Sequence, residues 1–139
     1  MADAGARALS FFDAWETRDF DAMMKHFAGG ATVNDHPRGT VITAPSEIRD
    51  WMTSWVTACP DATGGVSVAA ASTDAAVLLG TYVGMNTGPL GPLPASGRSV
   101  SMPFAIAMRF DAKGAITQYD VYYDQLTLLT QLGHAPAMA

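Results

Sequence analysis

The sequence predicts an α+β fold in a single domain, on three observations. Helical periodicity fills the chain up to Cys59 and returns only in one short stretch near the C-terminus. Long period-two strands occupy the chain from Val66 onward. No linker or internal repeat divides the 139 residues, a length that buries a sizeable core without disulfides or metal. Helices that precede a meander of long strands define the α+β class.

Taken in order, Ala6 to Phe20 carries Leu9, Phe12 and Trp15 at helical spacing, with Phe11 flanking the stripe and Arg7, Ser10, Asp13 and Glu16 around it. A second helix starts at Asp19-Phe20-Asp21, where either aspartate can cap, and Ala22, Met23, His26 and Phe27 supply its face. Gly29-Gly30 ends that pair, and Ala31 to Asp35 follows as a short strand that stops at His36-Pro37. Pro45-Ser46-Glu47 opens a third helix with Ser46 as its expected cap, and Ile48, Trp51, Met52 and Trp55 follow at i, i+3, i+4 and i+7.

Val66 to Ala71 and Ala76 to Gly84 read as strands. Asn86 to Gly97 is a loop with three prolines and three glycines, too long for a tight turn and of the size that forms rims or lids. Arg98 to Phe110 and Ile116 to Tyr123 form the long hairpin on which the rest is organised, with the turn Asp111-Ala-Lys-Gly114 between them and Gly114 free to take positive φ. Leu126, Leu129 and Leu132 then mark a short helix ending at Gly133, after which His134 to Ala139 is expected to fray.

Hydrophobic residues make up 49% and charged residues 15% of the chain, a balance that favours self-association as a symmetric homodimer. The net charge of −5 excludes a nucleic-acid partner, and the few scattered Lys and Arg residues offer no basic face to a membrane. No basic and apolar leader follows Met1, and no run reaches the ~18 apolar residues of a membrane span, so a cytoplasmic protein is expected. Cys59 is the sole cysteine, so no intrachain disulfide or thiolate cluster forms, and packing is its expected role. His26, His36 and His134 share no metal-ligand spacing, and no metal or cofactor is expected.

Certain segments carry a family resemblance. Asn86-Thr-Gly88, Leu90-Gly91 and Pro94-Ala-Ser-Gly97-Arg98 are similar to the glycine-rich loop of SnoaL-like polyketide cyclases, a branch of the nuclear transport factor 2-like superfamily. Val121-Tyr-Tyr-Asp124 and Gln131-Leu-Gly133 add to the likeness. The resemblance implies a cone-shaped α+β barrel in which the N-terminal helices pack inside a curved antiparallel sheet, leaving a cavity open at one end.

Within such a cone, period two assigns the lining. If Phe104, Ile106 and Met108 point inward, then Thr117, Tyr119, Val121 and Tyr123 of the next strand share that face, and Trp15, Trp51, Trp55 and Tyr82 close the cavity. The result is an aromatic, apolar site for a flat polycyclic or terpenoid ligand; alternatively, the same side chains simply fill the core.

Ala31 to Asp35 resembles the stretch of ketosteroid isomerases that ends in the carboxylate base, and Asp35 falls on that position. A carboxylate facing an apolar cavity has its pKa raised by desolvation, towards values useful for proton transfer. The competing reading is a solvated cap at the turn. His36 is a second candidate as relay or orienting group, although successive strand residues face opposite ways. Tyr119 and Tyr123 are inward donors able to orient a carbonyl. The resemblance also shows departures. The acid of the cyclases and epoxide hydrolases maps to Val121, the isomerases' oxyanion acid to Ile106 and their first-helix Tyr near Trp15. Asp120 adjoins the lost acid but lies on the other strand face, as a surface residue, and Asp124 is expected to cap the last helix.

Two classes of function follow: a cofactor-independent cyclase or isomerase acting on an apolar carbonyl compound, or a non-catalytic small-molecule binder of the same fold. A module whose cavity is filled by its own side chains is the third reading.

Overall fold

The computed structural model describes residues 3–135. Helix α1 (Ala4–Glu16) begins at Asp3, whose carboxylate accepts from the Ala6 amide, and buries Ala8, Phe11, Phe12 and Trp15. Leu9, expected in the buried stripe, is instead 40% exposed, because the face centres on Phe11 and Ala8. Helix α2 (Phe20–Met24) is capped by Asp19 and is shorter than expected. His26 and Phe27 do not belong to it: the His26 carbonyl accepts from the Ile116 amide at 2.7 Å, and β1 (Phe27–Asp35) begins at once. Gly29-Gly30 is therefore part of a strand, at the irregularity between Phe27 and Thr32 in its pairing.

A 3-10 turn, His36–Arg38, leads into a strand the sequence did not reveal, β2 (Thr40–Ile42). Helix α3 (Pro45–Ala58) starts after Ala44 with no side-chain cap; Pro45 at its first position sets the backbone, and Ser46 does not serve as cap. Strands β3 (Ser67–Ala71), β4 (Ala75–Met85), β5 (Ser99–Phe110) and β6 (Ile116–Tyr123) follow, and α4 (Gln125–Gln131) closes the chain. Asp124 caps α4 through the Leu126 and Thr127 amides and the Thr127 hydroxyl, and the hydrogen bonds from Thr127 hold its carboxyl below the usual range.

The sheet is curved and open, in the order β2-β1-β6-β5-β4-β3. All neighbours are antiparallel except β1 and β6, which run parallel, because the chain between them travels through the helices and the whole meander. The helices cover one face. Two rows of register partners cross that inner face: Ala76, Met108, Tyr119, Val33 and Ile42, then Leu78, Ile106, Val121 and Asp35. A bulge places Phe110 opposite Ile116 and leaves Thr117 out of register, so Ile116, fully buried, replaces Thr117 on the inner face. Gly114 takes φ +83° in the β5–β6 turn, as that turn requires.

The loop between β4 and β5 is anchored rather than free. Asn86, 1% exposed, donates to the carbonyls of Ala58 and Gly88 and accepts from the Ser96 amide, while Leu90 is buried beside it. Of the expected C-terminal tail, 136–139 lie outside the described residues, and a ring nitrogen of His134 lies 3.2 Å from the Pro94 carbonyl. No helix among the described residues is long and apolar enough to cross a membrane.

Candidate active site

Alternation along β1 buries Ala31, Val33 and Asp35 and turns Asn34 the other way. Asp35 is thereby carried into the core with 0% exposure. Its carboxylate is densely partnered: the Tyr123 hydroxyl donates at 2.9 and 3.1 Å to the two oxygens, the Trp51 indole N–H donates to Oδ2 at 3.0 Å, and Arg38 Nε lies 3.6 Å from Oδ2. The Arg38 amide adds a long contact of 3.4 Å to Oδ1, so Asp35 caps the 3-10 turn as well as being buried. A buried carboxylate needs such partners, since leaving it unpaired costs several kcal/mol.

Two of those partners, Trp51 and Tyr123, form the wall of a cavity together with Phe12, Trp15, Trp55, Gly64, Tyr82, Met102, Phe104, Ile106, Tyr119 and Val121. Of the expected lining residues two are missing: Met108 is buried in the row behind, and Thr117 is lost from the inner face at the bulge. Phe12, Gly64 and Met102 are additions. Phe12 was visible in the helical stripe, and Met102 lies at even spacing from Phe104 on β5; nothing in the sequence marked Gly64. Aromatic edges hold the walls: Trp51 meets Tyr119 at 5.9 Å and Trp55 meets Tyr123 at 5.3 Å, both close to perpendicular. The free volume is about 50 Å³, room for a few water molecules where ligand cavities usually run to roughly 300 Å³ or more. A polycyclic ligand enters only if the aromatic walls move.

The three phenols of the cavity differ in their bonding. Tyr82 donates to the Trp55 carbonyl, and Tyr123 donates to Asp35. Tyr119, 3% exposed, makes no hydrogen bond to any described residue, so its hydroxyl is free for a ligand oxygen. Burial pushes all three pKa values up, with Cys59 adding at Tyr82 and Asp35 at Tyr119; at Tyr123 the burial effect outweighs the opposing pull of Arg38. They are neutral donors or acceptors at ordinary pH.

Arg38 is the residue sequence reasoning missed. Pro37 interrupts any helical reading of Asp35-His-Pro-Arg38, and only the 3-10 turn brings the i and i+3 side chains together. The guanidinium also lies 5.2 Å above the Trp55 ring. His36, by contrast, leaves the site. It faces the outer side of the sheet, stacked on Tyr122 at 4.5 Å, with Nε2 2.8 Å from Asp120. Asp120 does lie on that outer face, but it is buried (8% exposed), not solvated, because Asn34, His36 and Gln118 close over it. Cys59 is buried, and burial raises its thiol pKa, which suits packing rather than nucleophilic chemistry. Among the described residues no group of three His, Cys, Asp or Glu is placed to hold a metal.

Val121, where the resemblance implied a missing acid, is the register partner of Asp35. The carboxylate thus joins the same row of the inner face from the adjacent strand.

The family model for SnoaL-like polyketide cyclases matches residues 6–132, and the chain belongs to that family. A comparison with curated proteins finds no match. Among solved structures, a SnoaL-like protein from a Jannaschia species superposes with a TM-score of 0.84 at 20% identity, covering 96% of this chain and 93% of that one. AclR of Streptomyces galilaeus, a suspected hydroxylase, gives 0.82 at 21% identity over 98% and 84%. A protein of ketosteroid isomerase-like fold from Catenulispora acidiphila, solved with trimethylamine, gives 0.75 at 20% identity over 93% of each chain. These likenesses establish the cone fold.

Proposed function

We propose that the protein is a cofactor-independent enzyme of the cyclase or isomerase type that moves a proton on an apolar polycyclic or terpenoid carbonyl compound. Membership of the cyclase family supports the reaction class. The observation that carries the reading is the fully buried Asp35 carboxylate, bonded to the cavity-wall residue Tyr123, with the Tyr119 hydroxyl, which bonds none of the described residues, on the wall of the same cavity. Asp35 supplies the basic charge, Tyr119 hydrogen-bonds the carbonyl, and the Trp side chains wall the rings and exclude water, which strengthens each polar contact. His36 has no part in this scheme. The expected homodimer is supported by the outer sheet face, where Leu79, Val83, Met85 and Tyr122 are all more than 40% exposed.

A second reading has its own support. The free volume of about 50 Å³, with Val121 and Ile106 at the family's acid positions, fits a binding protein of the same fold, or a cavity closed by its own side chains. Titration of tryptophan fluorescence with polycyclic aromatic ketones, steroids and terpenoids, with the ligand recovered, tests all three. Saturable quenching with chemically altered ligand supports the enzyme. Saturable quenching with unaltered ligand supports the binder, and no quenching across the panel supports the filled module.

A further inference from the structure

We infer that Tyr123, not Asp35, is the group that takes the proton from the substrate, handing its own hydroxyl proton to Asp35 in the same step. This inference rests on the proton-transfer reading above and assigns its atoms.

Proton counting on the observed geometry leads there. A tyrosine hydroxyl has one proton and two lone pairs. The Tyr123 proton is committed to Asp35, at 2.9 Å to one oxygen and 3.1 Å to the other. Arg38 also donates towards the Tyr123 oxygen and draws on one lone pair, so what Tyr123 has left for the cavity is the other lone pair, which makes it an acceptor and not an electrophilic donor. Asp35 is itself sealed: it has 0% exposure, it does not line the cavity, and Trp51, Tyr123 and Arg38 occupy the surroundings of its two oxygens. Of the two cavity-wall side chains that bond Asp35, the Trp51 indole only donates, so the Tyr123 oxygen is the one able to take up a proton. Tyr119, the one cavity phenol with no partner among the described residues, keeps its proton for the substrate oxygen.

The step balances. The C–H bond next to the substrate carbonyl breaks, and its proton bonds to the Tyr123 oxygen. The original Tyr123 O–H bond breaks, and that proton bonds to an Asp35 oxygen. The C–H electron pair becomes the enolate, whose oxygen accepts from Tyr119. Return of the protons by the same route to another carbon completes an isomerisation. Burial disfavours a free phenolate at Tyr123, which calls for both transfers in one step. Arg38, with Nε 3.6 Å from Asp35 Oδ2, is a positioning residue that holds the carboxylate in place beside Tyr123.

The test follows deuterium uptake next to the carbonyl of 1-tetralone in D2O by mass spectrometry, with 2-naphthol quenching of tryptophan fluorescence as a check that the cavity is intact. Tyr123→Phe, Asp35→Asn and the double variant are expected to lower kcat by the same factor, on the order of 10²–10⁴, with KM and 2-naphthol binding little changed, because the two groups act as one unit. Tyr123→Phe is nearly isosteric and decides the matter even if Asp35→Asn fails to fold. A Tyr123→Phe variant that keeps a third or more of the wild-type rate overturns the relay and leaves Asp35 as the direct base. Losses that multiply in the double variant overturn it too, since they give the two residues separate roles. Wild-type protein that binds 2-naphthol yet exchanges nothing overturns the proton-transfer reading itself, and the relay with it.

Discussion

The Tyr123 hydroxyl bridges both oxygens of the Asp35 carboxylate across 88 residues of sequence, from the end of β6 to the end of β1. The parallel pairing of those strands, with Asp35 opposite Val121, fixes that distance, and the pair ties the cavity wall to the buried charge.

Removing the carboxylate unpairs several groups at once. Asp35→Ala leaves the Trp51 N–H and the Tyr123 hydroxyl without acceptors and Arg38 without its counter-ion. A loss of about 3 kcal/mol or more is expected in urea denaturation, against a smaller loss for Asp35→Asn, which keeps an acceptor oxygen.

Widening the cavity trades stability against capacity. Trp55 is 8% exposed and forms part of the wall beside Tyr82 and Tyr123. Trp55→Ala is expected to cost about 3–5 kcal/mol of stability and to raise the affinity for 2-naphthol, read through the remaining tryptophans. Unchanged affinity would show that the wall does not limit access.

The anchored loop depends on a close backbone approach. A Cβ at Gly88 would sit 1.9 Å from the Thr57 carbonyl oxygen, at the end of α3, and backbone cannot step aside as a flexible side chain does. Gly88→Ala is expected to destabilise by about 2–4 kcal/mol and to lower the melting temperature accordingly.

Alkaline pH should unfold the protein in a defined direction. The folded state raises the pKa of Tyr82, Tyr119 and Tyr123, chiefly by burial, above the value of about 10 for an unfolded tyrosine. Their contribution to stability is complete below about pH 10 and is lost as pH climbs from there towards the folded values, because the unfolded state releases its protons first. Urea midpoints measured at rising pH should fall above about pH 10, and the phenolate absorbance of these tyrosines should appear together with unfolding.

Much of this architecture was legible in the chain. Period-two alternation placed Ile106, Tyr119, Val121 and Tyr123 on one face, and helical spacing collected Trp51 and Trp55. What escaped was set by tertiary pairing. His26 and Phe27 have helical neighbours in sequence, yet the hydrogen bond from Ile116 draws them to the start of β1. One bulge exchanged Thr117 for Ile116, since alternation carries no information about where a register slips. Arg38 was hidden because Pro37 masks the turn that folds it back on Asp35. Asp120 seemed a surface residue from strand phase alone, and only the closure of Asn34, His36 and Gln118 over it made it buried.

The most direct measurement is a crystal structure with 2-naphthol, a planar mimic of an enolised bicyclic ketone. The naphthol oxygen is expected within hydrogen-bond distance of the Tyr119 hydroxyl, with the rings against Trp51 and Trp55, a ring carbon against the Tyr123 oxygen, and the bond from Tyr123 to Asp35 intact. A naphthol found outside the cavity, or one whose oxygen bonds Asp35 after displacing Tyr123, would contradict the account.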